Sequence, residues 1–291
     1  MRTLRDKRTH IFVALVLAAL GIGIFLLLQK KEDTLPPPVT ESEDVGPEHR
    51  VIGLSVEGRE IEAYTFGNGA THLVFVGGIH GGYEWNSVLL AYKFIDYLET
   101  NQAPAHLTVS VIPSANPDGV YEVVGVEGRF GIADVPTRIQ AVGTGRFNAN
   151  KVDLNRNFDC KWKPNSMWRG AVVSAGSAAF SEPEAQAIRD FVLKYTPDAF
   201  IFWHSKANAV YASECEAGIL PETLEIMTAY SSAAGYNAVK TFDAYEITGD
   251  AEGWLASKNI PAITVELQTH ETIEWEKNLA GIKALFEHYQ P

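Results

Sequence analysis

Cysteine is scarce in this chain: Cys160 and Cys215 are the only two among 291 residues. They stand far apart and form no C-x-x-C pair, which argues against a zinc site built on thiolates. Positive charge is also short, with 24 basic residues against 36 acidic ones and a net charge of −12. Residues 1–45 carry six basic and six acidic side chains, which cancel, so the whole −12 belongs to the remainder. Phosphate binding needs a basic footprint, so no nucleic-acid partner is expected. Keeping a secreted domain soluble is reason enough for such an acidic balance. No internal repeat is visible.

One long apolar run is present. Residues 11–28, IFVALVLAALGIGIFLLL, are just long enough to cross a bilayer. Arg2, Arg5, Lys7 and Arg8 precede it against Asp6 alone, a bias that keeps residues 1–10 in the cytoplasm and sends the rest outward. The run ends LLLQKK without an A-x-A cleavage pattern, so an uncleaved single-pass anchor is expected, with a cleaved signal peptide as the alternative. Residues 29–49 are rich in proline and acid, the chemistry of a linker stiffened by Pro36, Pro37 and Pro38. Residues 50–291 then fit one α/β domain facing the cell surface or periplasm. In that compartment Cys160 and Cys215 are expected to bridge, with two buried free thiols as the other reading.

Within the domain, β-rich runs alternate with amphipathic ones. Residues 50–56 and 60–66 alternate like a hairpin around Glu57-Gly58-Arg59. THLVFVGG (71–78), HLTVSVIPS (106–114), DAFIFWH (198–204) and PAITVEL (261–267) read as buried strands. Val88, Ala91, Ile95 and Leu98 recur at helical spacing, residues 221–234 are helical in pattern, and Leu279, Ile282, Leu285 and Tyr289 mark a C-terminal helix. Ser181 followed by Glu184 is a capping-box pattern opening a helix through about Lys194. Residues 115–180 are polar and glycine-rich, and an irregular stretch that long usually has a function. The expected fold is α/β, a mixed and mostly parallel central sheet with helices on both faces.

Such sheets build their sites at the carboxyl ends of strands, where His80, His204 and Glu266 all fall. In GGIHGGYEWN (77–86), His80 and Glu84 stand four apart among glycines, either a polar turn or part of a metal site. Two imidazoles and a carboxylate, with His204 as the third, are a donor set suited to catalytic zinc. In RFNANKVDLNRNFD (146–159), Arg156 beside Asn155 suits a carboxylate clamp, since guanidinium offers a planar fork; a surface arginine paired with Asp153 or Asp159 is the plain alternative. Glu266 ends an apolar strand, where a carboxylate is costly unless ion-paired or poised as a base near a metal.

GGIHGGYEW, NPDG (116–119), DLNRNF (153–158), WHS (203–205), YEITGDAEGW (245–254) and TVEL (264–267) together resemble the zinc carboxypeptidase family, in its order and at roughly its spacing. The resemblance covers nearly all of residues 50–290 and implies one Zn²⁺ per chain held by His80, Glu84 and His204. It implies Glu266 as the general base and Arg146 as the arginine that steadies the oxyanion, with Arg138 as fallback. It implies Asn155 and Arg156 as the grip on a substrate's terminal carboxylate and Tyr245 as a tyrosine that closes over it. The spacing departs from the better-known members, which place two residues between the first His and the Glu where this chain has Gly81, Gly82 and Tyr83.

The implied activity is metallocarboxypeptidase hydrolysis of a peptide with a free C-terminal carboxylate. An acid near Tyr245, Glu252 or Asp250, would favour basic or amine-bearing terminal residues, though Asp250 equally suits the cap of a helix starting near Ala251. The anchor and these acids together suggest trimming of cell-wall stem peptides. A zinc amidohydrolase acting on N-acyl amino acids and a catalytically silent peptide- or wall-binding module are the other classes. Trp162, Trp168 and Trp275 either line a groove or simply pack.

Overall fold

The computed structural model describes residues 47–137 and 143–291. The expected anchor at 11–28, the bulk of the linker and Arg138 lie outside the described residues. No helix among the described residues is long and apolar enough to cross a membrane.

Strands β1 (Glu48–Leu54), β2 (Glu60–Phe66), β3 (Thr71–Val76), β4 (Leu107–Ile112), β7 (Ala199–Ser205), β8 (Ala209–Ala212), β9 (Asn237–Val239) and β10 (Ala262–Leu267) form one sheet, while β5 (Asn165–Trp168) and β6 (Ala171–Ser174) pair separately. The order in the large sheet is β1-β2-β4-β3-β7-β10-β8-β9. Its central members β4, β3, β7 and β10 run parallel. The antiparallel pairings are β1 with β2, β2 with β4, and β10 with β8. The mixed, mostly parallel sheet expected from the alternation is therefore present.

Six helices cover it: α1 (Trp85–Asn101), α2 (Pro117–Val124), α3 (Pro183–Tyr195), α4 (Pro221–Ala234), α5 (Ala251–Ser257) and α6 (Trp275–His288). The alternation along β7 divides the core. Ala199, Ile201 and Trp203 pack with α1, α4 and α6, whereas Phe200 and Phe202 pack with α3 and α5. Burying such apolar strands on both faces is the main drive to fold, at about 1.5–3 kcal/mol per large side chain. Val88, Ala91, Ile95 and Leu98 are all buried, as their spacing predicts. The α4–α6 contact carries a polar chain: Trp203 Nε1 donates to the Tyr230 hydroxyl, which donates to Asn278 Oδ1 at 2.7 Å.

Two local expectations need correction. Ser181 does not cap α3, because the chain enters the helix extended through Glu182 and puts Pro183 in the first turn. The Ser181 hydroxyl donates instead to Glu182, and Glu184 accepts from the Val56 amide and Asn148. The stretch 115–180 is less irregular than it reads, for α2 and the β5–β6 hairpin lie within it. In the NPDG run, Asn116 caps α2 by accepting from Gly119 N at 2.9 Å, and Pro117 takes the first helical position.

Cys160 and Cys215 form the expected disulfide, with Cα atoms 6.0 Å apart and a sequence separation of 55. Closing a loop of that length stabilises the fold by about 4 kcal/mol on the chain-entropy account. The bridge also ties the segment after Arg156 to the segment after β8, two walls of the same cavity.

Candidate active site

The turn after β3 delivers His80 and Glu84. Gly81 is indispensable there, because it sits at φ +48 and a Cβ would come within 2.4 Å of Gly145 O. The Gly81–Glu84 turn is 3₁₀, which absorbs the extra residue and returns Glu84 to His80: the two side chains meet at 2.9 Å, Nδ1 to Oε1. At the end of β7, His204 alternates onto the face of Phe200 and Phe202. Its Nδ1 lies 3.2 Å from His80 Nδ1 and 3.1 Å from Glu84 Oε2. The three side chains are buried, and their donor atoms all fall within 4.8 Å of one another.

Tetrahedral zinc with bonds of 2.0–2.2 Å needs donors about 3.3 Å apart, so the observed spacing suits it. Two imidazole nitrogens that face each other in a buried site call for a shared proton or a cation between them. Charge balance points the same way. Burial works against ionised Glu84, yet His80 and His204 hold its carboxyl well below the usual range. Burial also works against a charged His204, but Glu84 and Glu252 outweigh it and raise His204 to about 10. A metal ion would take the place of that proton. His80, by contrast, is lowered to about 4 by burial and by Arg146.

Glu266 pairs in register with His204 across parallel β10 and β7, so both side chains leave the same face. Burial, and then the Glu84 charge, push Glu266 up to about 8, and its Oε2 has no hydrogen-bond partner among the described residues. A half-buried carboxylate with an unpartnered, buried oxygen on the cavity shared with the metal cluster is poised for proton transfer.

Arg146 lies buried with its Nη2 and Nε on Asp153 Oδ2 at 2.9 and 3.1 Å, stacked 4.4 Å over Trp168. Its Nη1 comes to 3.9 Å from Glu84 Oε1. Asp153 therefore serves Arg146 rather than Arg156, and its Oδ1 faces His80 Nε2 at 3.6 Å. Arg156 is also buried and makes no ion pair among the described residues; Nη1 donates to Asn155 O and Nε has no partner. Asn155 Oδ1 accepts from Ala251 N at 2.8 Å, which locks it to α5. Tyr245 is half-buried in an irregular segment against Phe242, with ring centroids 4.8 Å apart. Asn155, Arg156, Tyr245, Arg146, His80, His204 and Glu266 all line one cavity of about 570 Å³, an ordinary size for a small-ligand site.

Glu252 lines the same cavity and has a partner there. Its Oε1 accepts from His204 Nε2 at 3.1 Å and from Thr264 Oγ1 at 3.0 Å. The first turn of α5 lies against His204, so one oxygen of this cavity-lining carboxylate orients an imidazole. Asp250 caps α5, accepting from Gly253 N at 2.7 Å. Of the three tryptophans, Trp168 lines the cavity, Trp162 donates to Ala175 O, and Trp275 packs on Tyr97. His270 is a lining residue that sequence reasoning missed; its position four beyond Glu266 was the available signal. It lies against Tyr83 at 4.7 Å, with Nδ1 2.7 Å from the Ser205 hydroxyl.

Two imidazoles and a carboxylate around one point, with a further carboxylate aimed at it on the carboxyl rim of a mixed sheet, define a zinc-hydrolase site. The chain belongs to the zinc carboxypeptidase family, whose model matches residues 48–280. It is 26% identical over 240 residues to a gamma-D-glutamyl-L-diamino acid endopeptidase 1 of Lysinibacillus sphaericus, covering 74% of this chain and 59% of that protein. It is 30% identical over 162 residues to bacteriocin BCN5 of Clostridium perfringens, covering 54% of this chain and 16% of that one. The chain thus spans less than two thirds of these relatives' lengths. Among solved structures, a murein-tripeptide amidase of Escherichia coli O157 shares the fold with a TM-score of 0.62 and 23% identity, over 84% of this chain and 93% of that one. Bovine thrombin-activatable fibrinolysis inhibitor does so at 0.65 and 19%, over 84% and 90%.

Proposed function

We propose that this hydrolase cuts the amide bond before a residue bearing a free carboxylate. The carrying observation is Arg156: a buried guanidinium, unpaired among the described residues, facing the same cavity as the metal cluster. An unpaired buried charge is expensive, and a planar fork suits a carboxylate ligand. Asn155, fixed on α5, adds an amide beside it.

His80, Glu84 and His204 would hold the zinc ion, which supplies Lewis-acid polarisation and water activation near neutral pH. Glu266 accepts the proton released by the attacking water and returns it to the leaving amine, a step typically contributing about 10²–10⁴-fold. Arg146, held rigid by Asp153 and Trp168, offers positive charge where the carbonyl oxygen turns anionic. Arg156 sets the register of the chain, so cleavage falls next to the carboxylate. Tyr245, in its irregular segment, is placed to close over the bound residue.

The gamma-D-glutamyl endopeptidase and the murein-tripeptide amidase among its relatives favour wall-derived stem peptides over food protein as substrate. The apolar run at 11–28 and its basic flank support a membrane tether that leaves the domain outside the cytoplasm. An amidohydrolase acting on a single acylated amino acid would use the same base and metal. A matched pair of peptides, one ending in a free carboxylate and one in an amide, tests the Arg156 clamp. The free acid should be cleaved at least about 100-fold faster, the value of one charge-assisted clamp. Equal rates on the two would sink the reading.

A further inference from the structure

The cavity is electrically divided. Asp250 and Glu252 lie on its α5 wall, and Glu214 runs against that helix, its O 3.0 Å from where a Gly253 Cβ would stand. A second part of the lining continues β7 and β10 beyond His204 and Glu266, and it is basic. Lys206 follows Ser205 there, and Arg169 follows Trp168. Both are exposed, and neither forms an ion pair among the described residues. The chain neighbours of both meet around His270: Ser205, which precedes Lys206, has its hydroxyl 2.7 Å from His270 Nδ1, and Tyr83 lies between His270 and Trp168, which precedes Arg169. Tyr83 completes the wall, edge-on to Trp168 at 5.3 Å and tilted against His270 at 4.7 Å.

The other charges lining the cavity are largely committed. Arg146 is bonded to Asp153, Glu246 to Lys163, Glu252 to His204 and Asp250 to the start of α5. Lys161 is a further unpaired cation, but it adjoins the Cys160–Cys215 bridge on another wall. Arg169 occupies a costly backbone position as well. It and Gly170 form the two-residue turn of the β5–β6 hairpin with φ of +50 and +80, where Asn, Asp or Gly is the ordinary first residue. In a domain carrying −12, two exposed cations that line one cavity and form no ion pair among the described residues are out of keeping with the acidic balance.

We propose that Arg169 and Lys206, backed by His270 and Tyr83, form a subsite for a carboxylate on the substrate residue that precedes the cleaved bond. This rests on the reading above, in which Arg156 holds the terminal residue. With that residue on the Arg156 wall and the bond over His80, Glu84 and His204, the preceding residue falls on the basic wall. The carboxylate has two sources: the side chain of an α-linked glutamyl residue, or the free α-carboxyl of a γ-linked one.

The test uses the full chain, zinc-loaded, carrying Glu266→Gln so that ligands persist. Calorimetry compares three N-acylated dipeptides with the same terminal residue, differing only in the preceding one: α-linked glutamyl, γ-linked glutamyl and glutaminyl. At least one acidic ligand should bind about tenfold tighter than the neutral one, and less so at high salt. Adding Arg169→Gln and Lys206→Gln should reduce that ratio to within about threefold, and Lys206→Glu alone should invert it. Equal affinities in the parent, or a preference that survives both substitutions, would overturn the subsite. Parallel assays of the wild-type chain separate the two claims. Acidic preference without hydrolysis removes the peptidase reading and leaves the subsite standing; hydrolysis without preference does the reverse.

Discussion

The two faces of the central sheet differ in what neighbouring residues on one strand are asked to do. On β7, Trp203 points into the side packed by α1, α4 and α6 with Phe75 and Phe94, its ring 5.3 and 5.9 Å from theirs. The next residue, His204, points to the other side, where Phe200 and Phe202 give way to a metal cluster. One face is hydrocarbon along the strands, broken only by the hydrogen-bonded chain from Trp203 to Tyr230 and Asn278. The other is hydrocarbon only until the carboxyl ends of the strands, where His204 and Glu266 leave together. Stability and chemistry are thus separated by a single step of the strand alternation rather than by distance along the chain.

That separation sets the expected effects. Trp203→Ala removes the largest fully buried side chain on the apolar face and should lower unfolding free energy by about 3–5 kcal/mol in urea titrations. A loss under about 1 kcal/mol would show that the apolar face does not dominate stability. Glu252→Ala acts on the other face, where it strips His204 Nε2 of its acceptor. Zinc affinity, read by competition with a chelator, should fall about 10–100-fold, and Gln at the same position should restore part of it. Unchanged affinity combined with altered preference for basic terminal residues would return Glu252 to a substrate-reading part. Asp250→Ala, on the same helix, removes only a cap and should cost about 1 kcal/mol with zinc affinity intact.

Much of this was legible beforehand, for identifiable reasons. Strands β3, β4, β7 and β10 are buried on both faces and so write continuous apolar runs, and α1 shows its spacing in Val88, Ala91, Ile95 and Leu98. The metal triad was readable because each member lies at the end of such a run or in the glycine-rich turn that follows. Short elements escaped. β8 has four residues and β9 three, too few for a periodicity, and α2 hides behind a turn-like NPDG. Partner choice escaped as well. Whether Asp153 meets Arg146 or Arg156, and whether Glu252 faces solvent or His204, depends on how loops and α5 pack, which spacing in sequence does not encode. The capping box at Ser181 failed because Pro183 offers no N–H and the Ser181 hydroxyl is engaged by Asn157, Ser177 and Glu182.

The central claim is that a single cation is held by His80, Glu84 and His204. Anomalous diffraction at the zinc edge tests it most directly. One peak is expected, about 2.0–2.2 Å from His80 Nδ1, His204 Nδ1 and a Glu84 oxygen, and absent from His204→Ala crystals. Zinc sited elsewhere, or the same peak persisting in that variant, would contradict it.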